Sequence, residues 1–169
     1  MNMVEINKNV KLSQHFTLGE LCKTSVKTKD GNIPSHVHIE NLKRLCRWLE
    51  RLRQRCNQMR NEKLGISNYD YSAAEKEVPI IINSAYRSAA VTKAVGGAAT
   101  SNHLTGCAAD IRCEGKEQAI RYACILLDIS DESQEPFDEL LIEQSAKSIW
   151  VHFAVRPEGN RRKIEFLKV

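Results

Sequence analysis

The sequence has little that is typical of a secreted, membrane-spanning or nucleic-acid-binding protein. None of its apolar runs approaches the roughly 20 residues of a membrane-spanning helix. The opening residues lack the apolar core of a secretory signal peptide, so we expect a cytoplasmic protein. Basic residues exceed acidic ones by only four, 25 against 21, and so small an excess does not predict binding to nucleic acid.

Disulfides and cysteine-based metal sites are also not indicated. The chain has six cysteines but no C-x-x-C pair, which argues against a zinc knuckle and against a redox motif. Cys46 and Cys56 lie on an apolar helical stripe, and Cys124 lies among apolar residues. A free thiol in such a setting behaves as a small apolar side chain. We therefore predict reduced, buried thiols and a reducing compartment.

The length and the order of the predicted elements indicate one α+β domain. The 169 residues form a single domain, with 1–10 and 157–169 as peripheral segments. Thr17 and Glu20 have capping-box spacing at a helix start. Apolar and β-branched patterns then predict helices at 35–59 and 117–128, a loop at 61–77, and strands at 78–83, 107–112, 137–143 and 149–155. Helices followed by strands predict a mostly antiparallel sheet with flanking helices.

One face of the long predicted helix is basic. Its charged residues are Lys43, Arg44, Arg47, Arg51, Arg55 and Arg60. We interpret this face as a solvated helix surface, since neither interleaved aromatic residues nor a base-reading motif accompanies it. A nucleic-acid-associated protein is the alternative that this face leaves open.

Three residues have the types and positions that a catalytic zinc site requires. His103 precedes Asp110 by seven residues, with Gly106 between them to supply a turn. Asp110 and His152 each interrupt an apolar strand, where an unpaired polar group would be costly. Imidazole and carboxylate are good zinc ligands, and three protein ligands with one open position are typical of catalytic zinc.

Several motifs carry a resemblance to a known family. They are Tyr86-Arg-Ser88, Val95-Gly-Gly97, Ser101-x-His-x-x-Gly-x-Ala-x-Asp110 and the strand Trp150-Val-His152. Together they resemble the zinc D-Ala-D-Ala carboxypeptidase family. The segment Leu12-Ser-Gln-His-Phe-Thr-Leu-Gly-Glu-Leu21 is similar to the start of a phage and prophage subgroup. The resemblance covers about residues 11–156 and implies the fold shared with lysostaphin-type peptidases and the hedgehog signalling domain.

The resemblance implies roles for particular residues. His103, Asp110 and His152 would bind Zn²⁺, while Arg87 and Ser101 would contact the substrate. The family commonly has a glutamate shortly before its last histidine, but Ile149 and Trp150 occupy those positions here.

The general base must therefore be sought elsewhere in the sequence. Glu143 is our candidate, because it ends a predicted strand from which a hairpin would return the chain beside His152. Glu139 and Asp138 are the alternatives. Strand alternation places Glu139 and Glu143 on one face, so the choice between these two depends on which strand end is nearer the metal.

The implied function is that of a zinc metallopeptidase that cleaves peptidoglycan stem peptides. Carboxypeptidase and endolysin-type endopeptidase activities both remain open, as does the oligomeric state. The absence of an export signal favours a cytoplasmic protein that is released to the cell wall during phage-type lysis. The unusual position of the glutamate leaves an alternative, a non-catalytic zinc-containing module for cell-wall binding or signalling.

Overall fold

A five-stranded sheet with two long helices against one face forms the frame of the molecule. The computed structural model describes residues 7, 9–29, 31–63 and 77–169. The helices are α1 (Leu18–Leu21), α2 (His36–Lys63), α3 (Ala89–Ala94) and α4 (Lys116–Ser133), with a 3₁₀ helix at Asn102–Thr105. The strands are β1 (Ile82–Ser84), β2 (Ala108–Cys113), β3 (Glu139–Gln144), β4 (Ile149–Ala154) and β5 (Lys163–Lys168). The predicted α+β class with flanking helices is confirmed.

The core lies between the helices and the sheet. The apolar stripe of α2 contributes buried leucines at 42, 45, 49 and 52, as its helical spacing predicts. Trp48, also on α2, packs against Phe137 and Phe153 with ring centroids 6.5 and 5.1 Å away. The inward residues of β2 and β4 alternate with residues that face away from the helices. One face of the sheet is thereby left free of the helix layer.

The sheet has the order β1-β2-β4-β3-β5 and is antiparallel except at the β3–β5 pair. The mostly antiparallel sheet of the sequence prediction therefore holds. Strand β5 lies in the segment 157–169, which the sequence pattern indicates only as peripheral, and it runs parallel to β3 at the sheet edge. Ile164 and Phe166 of β5 are largely exposed, so this strand lacks the buried apolar alternation that indicates a strand in a sequence.

Several predicted boundaries require correction. The run 78–83 was predicted as one buried strand, but β1 contains only Ile82–Ser84, and Ile81 is exposed. Both long helices extend beyond their predicted ends, α2 to Lys63 and α4 to Ser133. Of the predicted loop 61–77, residues 64–76 lie outside the described residues. The capped helix start at Thr17 is confirmed, since its hydroxyl accepts a hydrogen bond from the Glu20 amide.

The described residues include all six cysteines. All six cysteines are free, but Cys124 is exposed, contrary to the prediction that the thiols are buried.

On α2, Arg51 and Arg55 form ion pairs with Glu135 and Glu132 near the end of α4. Acidic side chains thus compensate part of the basic face. None of the helices in the described ranges is long and apolar enough to cross a membrane.

Candidate metal centre

His103 is held in a short 3₁₀ helix by hydrogen bonds at both ends. The Ser101 hydroxyl accepts from the His103 amide, and Gly106 closes the turn with φ of 72°. This left-handed conformation suits glycine, which has no Cβ to clash. The His103 side chain is 1% exposed, and its Nδ1 lies 2.5 Å from the carbonyl oxygen of Ala85. Its Nε2 consequently points towards the free face of the sheet.

Asp110 and His152 face each other across adjacent strands. They are directly paired in the antiparallel register of β2 and β4. Their strand neighbours Ile111, Val151 and Phe153 point the other way into the core. Period-two alternation therefore turns the carboxylate and the imidazole out of the core and onto the free face.

Three ligand atoms converge at this point. Asp110 Oδ1 lies 3.1 Å from His103 Nε2 and 2.9 Å from His152 Nδ1, and the two ring nitrogens are 3.3 Å apart. The three side chains form a group whose ligand atoms all lie within 4.8 Å of one another. Two imidazoles and one carboxylate are a donor set that suits zinc. The structure thus brings together the three residues predicted to bind the metal.

Residues 14–152 match the family described as Peptidase M15. The chain belongs to the peptidase M15 family. No curated protein matches the sequence. Peptidases of the M15 family depend on zinc, and the His103–Asp110–His152 group of this M15 peptidase is able to hold a metal ion.

The charged groups of the candidate metal centre shift one another's pKa values. Burial alone would raise the pKa of Asp110, but the charges and hydrogen bonds of His103 and His152 outweigh burial and lower it well below the usual range. Burial would likewise lower the pKa of His152, but hydrogen bonds to Asp110 and Glu139 raise it to about 9. Asp110 is therefore ionised at neutral pH and is available as an anionic ligand.

The two glutamates of β3 have different partners in this M15 peptidase. Glu139 Oε2 lies 3.4 Å from His152 Nε2, the ring nitrogen on the side opposite the ligand atom. The hydrogen bond with His152 lowers the pKa of Glu139 to about 2 despite partial burial. Glu143 Oε2 accepts a hydrogen bond of 2.6 Å from Trp150 Nε1. In the β3–β4 register Glu143 pairs with Trp150, two residues before His152, so its carboxylate lies on the strand face of His152.

Arg87 reaches the metal centre from the segment after β1. One of its terminal nitrogens lies 3.5 Å from Asp110 Oδ2, and its buried Nε has no hydrogen-bond partner among the described residues. The buried Asn32 fixes this segment, because its side chain bonds the Tyr86 carbonyl at 3.2 Å and the Ser88 amide at 2.7 Å. The Ser101 hydroxyl caps the 3₁₀ helix, as described above.

A polar network that the sequence pattern does not predict lies behind His152. Asn102 Nδ2 donates to Asp138 Oδ2 at 2.7 Å and to Glu139 Oε2 at 2.8 Å. Arg161 donates to Asp138 Oδ1 at 2.7 Å and to Glu139 Oε1 at 2.7 Å. Asp138, an alternative general base in the sequence analysis, is fully buried in this network. The one signal in the sequence was a run of two acidic residues at the start of an apolar strand.

Proposed function

We propose that the protein is a zinc metallopeptidase that hydrolyses peptide bonds in peptidoglycan stem peptides. The observation that carries the proposal is the His103–Asp110–His152 group on the free face of the sheet, in a chain of the M15 family. Each imidazole has an acceptor at its other nitrogen, the Ala85 carbonyl for His103 and Glu139 for His152. Such partners are typical of histidines that bind metal.

A bound zinc ion would supply a Lewis acid that makes water a usable nucleophile near neutral pH. Glu143 is the proposed general base that takes the proton from water and passes it to the leaving amine. Two features support this assignment: its place on the strand face of His152, opposite Trp150 in the β3–β4 register, and the Trp150 hydrogen bond that orients its carboxylate. Glu139 is already engaged behind His152, which disfavours it as the base.

Arg87 is the proposed substrate contact with the clearest structural support. A peptide carboxylate or a developing oxyanion needs a cationic donor, and a guanidinium offers several N–H groups in a fixed geometry. Arg87 lies beside Asp110, with one terminal nitrogen 3.5 Å from Asp110 Oδ2. Ser101 remains a proposed contact as well, although its hydroxyl also caps the helix that carries His103.

The proposal also concerns which peptide bond is cleaved and where the enzyme acts. D-Ala-D-Ala carboxypeptidase and endolysin-type endopeptidase activities use the same groups. The similarity of 12–21 to a phage and prophage subgroup supports an enzyme that reaches the wall at lysis.

A digest of purified peptidoglycan and defined muropeptides, read by mass spectrometry, tests the proposal. We expect loss of terminal D-Ala or splitting of the stem, with either activity abolished by a zinc chelator. Glu143→Gln should lower kcat by about 10²–10⁴-fold, the usual contribution of a general base, and leave the zinc content unchanged. Glu165→Gln is the matched control, since Glu165 lies on β5 and pairs with Lys163 at 3.0 Å.

Two outcomes would contradict this function. Intact substrates after treatment with zinc-loaded, folded protein would favour the non-catalytic cell-wall or signalling module instead. Full activity of His103→Ala or Asp110→Ala would contradict the zinc mechanism itself.

A further inference from the structure

His152 is contacted on both sides of its ring by carboxylates. Its Nδ1 lies 2.9 Å from Asp110 Oδ1, inside the group of ligand atoms. Its Nε2 lies 3.4 Å from Glu139 Oε2, on the opposite side of the ring. The imidazole is 9% exposed and Glu139 is 16% exposed, so water has little access to this contact. Each ring nitrogen of His152 therefore contacts a different carboxylate.

A neutral imidazole binds a metal through one nitrogen while the other nitrogen carries the proton. The acceptor at the protonated nitrogen decides which nitrogen is free for the metal, and it also fixes the plane of the ring. His103 has such an acceptor in the Ala85 carbonyl oxygen, 2.5 Å from its Nδ1. Glu139 occupies the equivalent position for His152.

Glu139 is itself held in place by two donors. Asn102 Nδ2 donates to Glu139 Oε2 at 2.8 Å, and Arg161 donates to Glu139 Oε1 at 2.7 Å. Asn102 immediately precedes His103 on the 3₁₀ helix. The Glu139 carboxylate therefore joins the strand histidine to the helix that carries the other histidine ligand.

We propose that Glu139 is a positioning residue of the metal centre. Its carboxylate accepts a hydrogen bond from the protonated Nε2 of His152, so that Nδ1 faces the metal, and through Asn102 it fixes the position of His103 relative to β4. The proposal rests on the proposed zinc site, and it assigns Glu139 a role distinct from that of the general base. A general base acts on water during turnover, whereas a positioning residue acts on the affinity and geometry of the bound metal.

The test measures metal binding separately from turnover. The zinc dissociation constant is determined by competition with a chromophoric chelator, and the geometry is followed by the absorption spectrum of the Co²⁺ form. Glu139→Ala should weaken zinc binding by about 10–100-fold, the usual effect of losing the acceptor behind a ligating histidine, and should change the Co²⁺ spectrum. Glu139→Gln keeps a neutral acceptor and should lose less affinity. The control is Glu165→Ala, which should bind zinc as the unsubstituted protein does.

Zinc affinity and a Co²⁺ spectrum identical to those of the unsubstituted protein in both Glu139→Ala and Glu139→Gln would overturn this assignment. If Glu139→Ala does not fold, unchanged affinity and spectrum in Glu139→Gln alone would overturn it. An unsubstituted protein that binds no zinc would instead contradict the proposed metal centre, so the two failures are distinguishable.

Discussion

Two glutamates on one strand face differ because of the side chains around them. Glu139 and Glu143 lie four residues apart, which places them about 13 Å apart along β3. Glu139 is surrounded by donors, namely the His152 ring, Asn102 and Arg161. Glu143 accepts one hydrogen bond, from the indole of Trp150, at the end of β3 near the hairpin. Residue type alone therefore does not determine the role of either carboxylate.

The hydrogen bond from Trp150 to Glu143 leads to a prediction at the residue scale. Trp150→Phe keeps an aromatic ring at this position but removes the N–H that orients the carboxylate. A hydrogen bond to a charged group contributes about 1.5–3 kcal/mol, and each 1.36 kcal/mol of barrier is tenfold in rate, so we expect kcat to fall about tenfold or more. Steady-state kinetics and zinc analysis of the same preparation provide the measurement. An unchanged kcat would show that Trp150 does not position the base.

The sequence allowed prediction of the three residues that the structure brings together at the candidate metal centre, but not of the network that supports them. His103, Asp110 and His152 were recognisable because two of them interrupt apolar strands and all three match a specific motif. The role proposed for Glu139 depends on which end of β3 lies behind His152, and this follows from the β3–β4 register. Arg161 reaches Glu139 across a separation of 22 residues, which no periodicity in the sequence indicates.

At the scale of the element, the turn after the 3₁₀ helix is constrained by both backbone and packing. Gly106 has φ of 72°, and a Cβ there would meet the His38 carbonyl oxygen at 2.7 Å. Gly96 has φ of 71°, but nothing lies within 4 Å of its Cβ position. The two glycines thus share a left-handed conformation and differ in the space around them.

This difference predicts unequal effects of alanine. Gly96→Ala should lower the free energy of unfolding by about 1 kcal/mol, the cost of the left-handed conformation alone. Gly106→Ala should lower it by about 3 kcal/mol, because overpacking against backbone adds to that cost. Urea denaturation of both variants gives the comparison. Equal losses would mean that the close approach to His38 relaxes without cost.

The elements with strong periodicity were predictable, and the others were not. The spacing of apolar residues predicts the leucine stripe of α2 and the strands β2, β3 and β4. The short helix Ala89–Ala94 lies in a polar, glycine-containing stretch and forms no apolar stripe of its own. Strand β5 alternates half-buried and exposed residues, and tertiary contacts place it beside β3. Only the folded chain reveals such elements.

Asp138 connects several parts of the whole molecule and gives a prediction about acid stability. Its fully buried carboxylate contacts Arg156 at 2.9 Å, Arg161 at 2.7 Å and Asn102 at 2.7 Å. Burial alone would raise the pKa of Asp138, but the hydrogen bonds of Arg161 and Asn102 and the charge of Arg156 lower it. The charged form is thus favoured in the folded state.

A depressed pKa stabilises the fold at any pH above the unfolded value, about 3.9 for aspartate, and this stabilisation disappears as the pH falls through the folded value. Asp138→Asn should therefore lower the free energy of unfolding at pH 7 by about 1.5–3 kcal/mol, the contribution of hydrogen bonds to a charged group. The difference between variant and unsubstituted protein should shrink as the pH falls below about 4, because the unfolded-state aspartate becomes protonated there while the folded-state carboxylate stays charged until the pH approaches its lowered pKa. Chemical denaturation across pH 3–7 measures it, and a difference independent of pH would contradict the prediction.

Zinc should couple the metal centre to the stability of the whole fold. His103, Asp110 and His152 come from a 3₁₀ helix and two strands, so unfolding separates the three ligands. A ligand that binds only the folded state at 100 times its Kd stabilises that state by about 2.7 kcal/mol. For a chain of this size 1 kcal/mol shifts Tm by about 2–4 °C, so a chelator should lower Tm by about 5–10 °C.

His103→Ala should have a Tm that the chelator does not change, while Glu165→Ala should respond as the unsubstituted protein does. A Tm of the unsubstituted protein that is insensitive to zinc and chelator would mean that these three residues do not form a metal site, since a metal held by ligands from three separate elements must stabilise their assembly.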